Sequence, residues 1–475
     1  MPGRPRSDDL VDDVSDELVD ELRVVVGESN VRVGEAVLEL DPGWNPHSLD
    51  AGIVVSPAST AEVAEVVRWC GRRGVAIVPH GGRTGLVGGG ESHPGQIVLS
   101  LLRLNQIESI IDNDRVAVVG AGCTLEALQT AAAGHGLEPG IDLAARGSAT
   151  IGGMISTNAG GVMAFRNGVM RHRVFGLEAV LPDGSIYSDL TRVVKNSAGY
   201  DLKHLLIGGE GTLGVVTKAV IKLDPVPTAT ATALIAFPSV DAALATIRRA
   251  LATEAGHLRA AEALWSDYIK LTARTLGWAE PGIDLEQSIF LLLLLGGPSD
   301  EALHTEFGNI FDDVARMYPE VNGIVAGSAR QAADLWRLRD DTEIVYRLHP
   351  AAPSYDVSVP QSKVADYVAA VQRGLKEIDP TFQPYLFGHL ADGNLHILLN
   401  RPGPLPTELS VQVESLLYGS LRAFGGSFSA EHGVGSKRIG SMLNTTDDGK
   451  LAAMRLIKSA LDPANLMNPG KVLPI

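Results

Sequence analysis

The chain opens with apolar residues at helical spacing. Val11, Val14, Leu18, Leu22 and Val25 recur every three or four positions, which predicts an amphipathic helix. From about residue 50 the pattern shifts to short apolar runs between glycines and prolines. "GIVVSP" predicts a strand at 52–57. "STAEVAEVVRWCGRRG" starts with a capping box, Ser59 to Glu62, and carries an apolar face of Val63, Val66, Val67 and Cys70. "VAIVP" and "VAVVGAG" read as buried strands, and "TLEALQTAAAGHG" as a helix. The longest apolar run, "IFLLLLLGG" from Ile289, has the length of a buried strand and falls short of the ~18 residues of a membrane span.

Strand then helix alternates through this first half, an α/β pattern. Past the proline-rich "LDPVPTATA" the alternation loosens, which marks a domain boundary near Pro227. At 475 residues the chain is too long for one hydrophobic core. Four segments are expected: a helical stretch over 1–47, a first domain over 48–227, a second over 228–420, and a helical C-terminal segment over 421–475.

Composition narrows the function. Charged residues make up 20% of the chain and apolar ones 45%, as in ordinary globular proteins. Net charge is −16, which disfavours nucleic acid and anionic membrane as partners. The first fifty residues hold thirteen Asp and Glu against four Arg, so most of the excess lies there. The acidic start lacks an apolar core of the signal-peptide kind. Two cysteines, Cys70 and Cys123, are read as buried thiols, and the expected location is cytoplasmic.

Glycine concentrates in three loops, "HGGRTGLVGGG" (80–90), "GSATIGGMISTNAGG" (147–161) and "GGEGTLGVVTKA" (208–219). None ends in the Gly-Lys-Ser/Thr of a P-loop. "GAGCTL" from Gly120 has Leu125 where a Rossmann fingerprint needs its third glycine. Three such loops with few basic residues suggest a diphosphate ligand lying along backbone amides.

A second cluster is polar. "GHLADGNLH" sets His389 and His396 seven residues apart around an Asp392-Gly393 turn, and "EHGVGSKR" adds Glu431 and His432. A strand-turn-strand can bring the two histidines together. Two histidines alone read as polar turn residues. With Glu431 they suit a divalent ion such as Zn²⁺ or Mn²⁺ that keeps an open coordination position.

These glycine loops resemble the FAD-binding domain of the vanillyl-alcohol oxidase superfamily. "GHLADGNLH", "EHGVGSKR" and "LDPANLMNPGK" narrow the resemblance to its D-2-hydroxyacid dehydrogenase branch, which includes D-lactate dehydrogenases, D-2-hydroxyglutarate dehydrogenase and the glycolate oxidase flavin subunit. The resemblance implies an α+β fold: an FAD domain, an antiparallel-sheet substrate domain, and a C-terminal segment returning to the flavin. It assigns the pyrophosphate loop to Pro79, Gly81, Gly82, Arg83, Thr84, Gly85, Gly88 and Gly89. A second cradle comprises Pro139, Asp142, Gly147, Ala149, Thr150, Gly152, Gly153, Ser156, Asn158 and Gly161. Glu210, Gly211, Val215 and Val216 would lie near the adenine or isoalloxazine, and Asn468 would face the flavin. Some superfamily members tether FAD to a histidine just after the paired glycines. Arg83 stands there in this chain, so non-covalent FAD is expected, with His80 the residue to examine if a link exists.

The resemblance further implies His389, His396 and Glu431 as metal ligands and His432 as general base. It also assigns Arg339 of "LWRLRDD" to the substrate carboxylate, with Asn394 and Tyr355 beside it. The implied reaction is oxidation of a D-2-hydroxy acid to the 2-oxo acid, with hydride passing to flavin N5. In 2-hydroxyglutarate enzymes a lysine and a threonine hold the distal carboxylate. Their places here fall on Ser354 and Glu343, which favours D-lactate or a larger monocarboxylate over D-2-hydroxyglutarate. The acceptor would be an electron-transfer flavoprotein, a quinone or a cytochrome. A homodimer and a peripheral place at the membrane stay open. A metallohydrolase, or a binding protein with a decayed site, are the readings from other classes; neither accounts for both the glycine loops and the full His, His, Glu, His set.

Overall fold

A computed structural model describes residues 16–350, 352–401 and 403–474. Val11 and Val14 lie outside them. Two compact units are present. The first joins residues up to 160 with 167–226 and 431–475; the second joins 161–166 with 227–430.

The first unit contains β1 (Val31–Val33), β2 (Ile53–Val55), β3 (Ala76–His80), β4 (Gln96–Ser100), β5 (Ile107–Ile111), β6 (Val116–Gly120), β7 (Leu137–Glu138), β8 (Val174–Val180), β9 (Ile186–Asp189), β10 (Val215–Lys222) and β11 (Asp224–Pro225). One sheet has the order β1-β2-β4-β3, with β2 and β3 both parallel to β4. The helix Thr60–Arg73 makes the crossover from β2 to β3. Ser59 Oγ accepts from the Glu62 N–H at its start, and the Glu62 carboxylate reaches back to the Ala58 N–H at 2.7 Å. Its apolar face, Val63, Val66, Val67 and Cys70, is buried in the core. The second sheet, β5-β6-β10-β8-β9, is wholly antiparallel. The strand-helix sequence after β6 therefore makes no parallel unit, because β6 finds its partners in β5 and β10. The first helix, Asp16–Val26, buries Val19, Leu22 and Val26, and Leu18 and Val25 pack partly buried against the same core. Both cysteines are buried and free.

The second unit is built on a seven-stranded antiparallel sheet: β12 (Ala229–Phe237), β13 (His257–Trp265), β14 (Ile289–Gly297), β15 (Asn322–Val325), β16 (Ser354–Ser358), β17 (Pro384–His389) and β18 (Asn394–Leu399). Their order is β15-β12-β14-β13-β17-β18-β16. Both faces are covered by helices. Leu291, Leu293 and Leu295 of β14 enter one core with the helices Val240–Leu251, Asp300–Ala315 and Val364–Ile378. Phe290 and Leu292 enter the other with Ser266–Leu276 and Ala329–Asp340. That is why "IFLLLLL" shows no alternation: a strand buried on both faces is apolar throughout. Each fully buried leucine contributes ~1.5–3 kcal/mol.

Candidate functional site

The Asp392-Gly393 turn joins β17 to β18. Gly393 has φ +77°, and a side chain there would collide with the Val359 carbonyl. In the hairpin His389 stands opposite Asn394 and Phe387 opposite His396. The two histidines are thus diagonal neighbours on one face, and their ring centroids are 5.4 Å apart. Both are buried.

The neighbouring strands bring a carboxylate to each histidine. Glu262 of β13 is directly across from His389, and Asp356 of β16 directly across from His396. The His389 Nδ1–H donates to Glu262 Oε1 at 2.6 Å. His396 Nδ1 lies 3.5 Å from Asp356 Oδ1. Glu262 is fully buried. Burial pushes its carboxyl up, but the charges of His389 and Arg339 outweigh that and hold it below the usual range, so it is ionised. Asp356 Oδ1 accepts from Asn394 Nδ2 at 2.7 Å, and its Oδ2 from the Ala430 N–H at 3.1 Å. Asn394 Oδ1 is buried without a hydrogen-bond partner among the described residues. Two carboxylate-backed imidazoles and an unmet buried acceptor are donors of a kind that would suit a divalent cation.

Arg339 ends the helix Ala329–Asp340 on the same face. It is buried, not a surface arginine: its Nε donates to Glu262 Oε2 at 2.7 Å, and its guanidinium carbon lies 4.8 Å from the Phe387 ring centre.

The structure corrects two assignments. Tyr355 sits one residue from Asp356, so the strand's period of two turns it to the opposite face. There it packs in the core, 6.3 Å from the Tyr418 ring, away from His389, His396 and Asn394. Glu343 is exposed and reaches Arg347 at 3.8 Å, so it repels nothing at this site. Glu262 and Asp356 were missed. Each is an isolated carboxylate in an otherwise apolar strand, "AAEALW" and "YDVSV", and that isolation was the available signal.

Glu431 and His432 follow directly on Ala430, which Asp356 anchors in the second unit. Two residues on, the Val434 and Gly435 N–H groups each donate at 2.8 Å to the Glu210 carboxylate in the first unit. The linking pair is therefore tethered at both ends.

The Glu210 carboxylate is engaged by those two amides, and burial raises its pKa above the ordinary value. In the first unit the other assigned residues divide by role. A side chain on Gly81 would strike Thr150 Oγ1, one on Gly82 the Ser148 carbonyl, and one on Gly152 the backbone and Cβ of Ala121. Gly81 and Gly82 let the loop around 81–89 lie against the one around 147–153, and Gly152 lets the latter approach Ala121. Thr150 caps the helix Ile151–Thr157. Arg83 takes φ +54°. Pro139 O accepts from Arg173, Asp142 pairs with Arg146 at 2.7 Å, and Asn158 Oδ1 accepts from the Arg171 N–H. Ser156 Oγ bonds the Gly152 carbonyl. Val215 and Val216 are buried in β10, and Gly211 packs on Pro79. Gly161 falls in the short segment grouped with the second unit.

The tail joins β3: the Ile77 N–H donates to Leu466 O, and the Asn468 N–H to Ile77 O, both at 2.8 Å. Asn468 Nδ2 donates to the Gly89 and Glu210 carbonyls, while its Oδ1 is buried with no partner among the described residues. His80 is in the same position, with Nε2 on the Gly90 carbonyl at 2.9 Å and Nδ1 unpartnered. Two unmet polar atoms, set against two glycine loops, fit a flavin dinucleotide.

Comparison with known proteins agrees. Residues 51–189 match a family described as the FAD binding domain, and 226–472 match the C-terminal domain of FAD linked oxidases, more than half of the chain. The chain belongs to the FAD-linked oxidases. This FAD-linked oxidase is 38% identical over 437 residues to a D-2-hydroxyglutarate dehydrogenase of Xanthomonas citri pv. viticola, covering 90% of each chain. It is 31% identical to a protein of that name from Stutzerimonas stutzeri, over 96% of this chain and 98% of the other. Its fold matches a 4-ethylphenol oxidase from Gulosibacter chungangensis with a TM-score of 0.72 at 20% identity, covering 97% and 98%. The FAD-linked oxidase is an FAD-dependent oxidoreductase of α+β fold. No helix among its described residues is long and apolar enough to cross a membrane.

Proposed function

We propose that the chain oxidises a D-2-hydroxy acid to the 2-oxo acid, using non-covalent FAD and a divalent cation. The observation that carries this reading is the buried row Glu262, His389, His396 and Asp356 on four adjacent strands, with Arg339 at its end. His389, His396 and Glu431 would hold the cation. Glu431 is included because it follows Ala430, the residue that Asp356 anchors. A cation there supplies Lewis acidity toward the C2 hydroxyl, and FAD supplies the two-electron acceptor.

The remaining work falls to side chains. The terminal nitrogens of Arg339 clamp the substrate carboxylate. The Asn394 side-chain oxygen would accept from the substrate. His432 takes the proton from the C2 hydroxyl. Arg83, in the tethering position, leaves FAD without a covalent link.

Within this class we favour a substrate with one carboxylate. Ser354 supplies no charge for a second one; its hydroxyl bonds Tyr346. The second reading is D-2-hydroxyglutarate, favoured by the names of relatives that align over 90% and 96% of the chain. Both enantiomers of lactate and of 2-hydroxyglutarate, assayed with an artificial dye acceptor, test the proposal. Turnover of the D forms alone is expected, with kcat/KM higher for D-lactate. Preference for D-2-hydroxyglutarate establishes the second reading, and turnover of no hydroxy acid overturns both.

A further inference from the structure

Glu262 is a fully buried carboxylate with each oxygen committed to a different side chain. Oε1 accepts from His389 Nδ1 at 2.6 Å, and Oε2 from Arg339 Nε at 2.7 Å. We infer that Glu262 is a positioning residue that ties the cation ligand His389 to the carboxylate clamp Arg339, so that ion affinity and substrate affinity depend on one side chain. The inference rests on the roles proposed above for those two residues.

Three observations carry it. Glu262 stands directly across from His389 in the β13–β17 ladder, so the bond is fixed by backbone register and not by a flexible surface rotamer. A proton held on Nδ1 fixes the tautomer that leaves Nε2 as the only lone pair on the ring for an ion. At the other oxygen, engagement of Nε leaves the two terminal nitrogens of Arg339 as the edge that can grip a carboxylate bidentately. Phe387 completes the block. It lies under the guanidinium and opposite His396 in the hairpin, with 5.1 Å between the Phe387 and His396 rings. The carboxylate beside the other histidine is arranged differently. Asp356 divides its oxygens among Asn394, the Ala430 amide and His396, which lies farther off at 3.5 Å.

A buried ion pair that served stability alone would predict a different phenotype. Its loss would lower the melting temperature while each folded molecule kept its affinities. A shared positioning residue predicts that two affinities at different groups change together.

The test uses the full FAD-loaded chain. Glu262→Gln has the same shape but only one acceptor oxygen, so it serves His389 or Arg339 and not both. Glu262→Asp keeps the charge but is too short to reach both, and it provides the second variant if the first fails to fold. Zn²⁺ and Mn²⁺ are titrated separately into chelated protein, KM for the preferred D-2-hydroxy acid is measured, and flavin content and melting temperature report folding. Glu262→Gln is expected to weaken ion binding by ~10–100-fold and to raise KM together with it. Glu262→Asp is expected to recover part of the ion affinity. If ion affinity and KM in both variants stay within about twofold of wild type, or if KM rises with ion affinity unchanged, the inference falls while the proposed function stands. Wild-type protein that takes up neither ion overturns the cation reading itself, and the inference with it.

Discussion

Asp356 lies directly across the β16–β18 ladder from His396, and its second oxygen holds the amide of Ala430, the residue before Glu431. One carboxylate thus links a histidine on the hairpin to the start of the Glu431-His432 segment. The consequences of that arrangement can be measured separately at His396 and at His432.

His432→Ala should leave flavin and metal content near wild type and lower kcat by ~10²–10⁴-fold, the usual cost of losing a positioned base. His396→Ala should instead lose metal, with partial rescue by added ion. Metal analysis beside steady-state kinetics separates the two. A His432→Ala protein that binds no metal, or turns over at the wild-type rate, contradicts its role as base.

Chelation should abolish turnover and leave FAD bound, because the flavin residues of the first unit do not include the histidine pair. Zn²⁺ or Mn²⁺ should restore the rate. Full activity after exhaustive chelation would make His389 and His396 hydrogen-bond donors to substrate instead.

Gly82→Ala should cost FAD. The added methyl would overlap the Ser148 carbonyl, so the two glycine loops must part. Overpacking of this kind costs ~1–3 kcal/mol. The flavin-to-protein absorbance ratio after purification is the readout, and an unchanged ratio would show that the loops yield without disturbing the cofactor.

His80 gives a pH dependence with a definite sign. Burial, with smaller contributions from Arg83 and Lys471, lowers its pKa from 6.5 to about 4. The folded state therefore binds fewer protons than the unfolded one between those values. The contribution of His80 to stability is complete above pH 6.5, is lost as pH falls toward 4, and changes no further below that. The full loss is about 3 kcal/mol. His80→Gln should flatten this slope, seen as the difference between denaturant midpoints measured at pH 7.5 and 4.5. Acid precipitation of the wild type should release FAD into the supernatant, as expected of a flavin with no bond to His80.

Much of this was legible in local pattern. The capping residues Ser59 and Glu62, the apolar β14 and the Asp392-Gly393 hairpin each rest on neighbours a few positions away. Glu262 was not legible in that way, since its partners His389 and Arg339 lie 127 and 77 residues downstream. Tyr355 was misplaced for the opposite reason. It is adjacent to Asp356 in sequence, and a strand sends adjacent side chains to opposite faces. The partners of the Glu210 carboxylate were equally out of reach, since the amides it satisfies lie 224 and 225 residues away.

The pairing of Ile77 with Leu466 and Asn468 has a consequence for biosynthesis. When β3 leaves the ribosome, the segment that completes its edge is not yet translated, and the whole of 227–430 must emerge first. At ~5–20 residues per second the delay is on the order of tens of seconds. Throughout that interval the nascent first unit lacks Asn468, the Lys458 ammonium that bonds the Thr212 and Met467 carbonyls, and the amides that occupy Glu210. The second unit is contiguous apart from a six-residue segment, and all of it is translated before the tail. The β3 edge and the Glu210 carboxylate therefore meet their partners only once the last segment of the chain has been made.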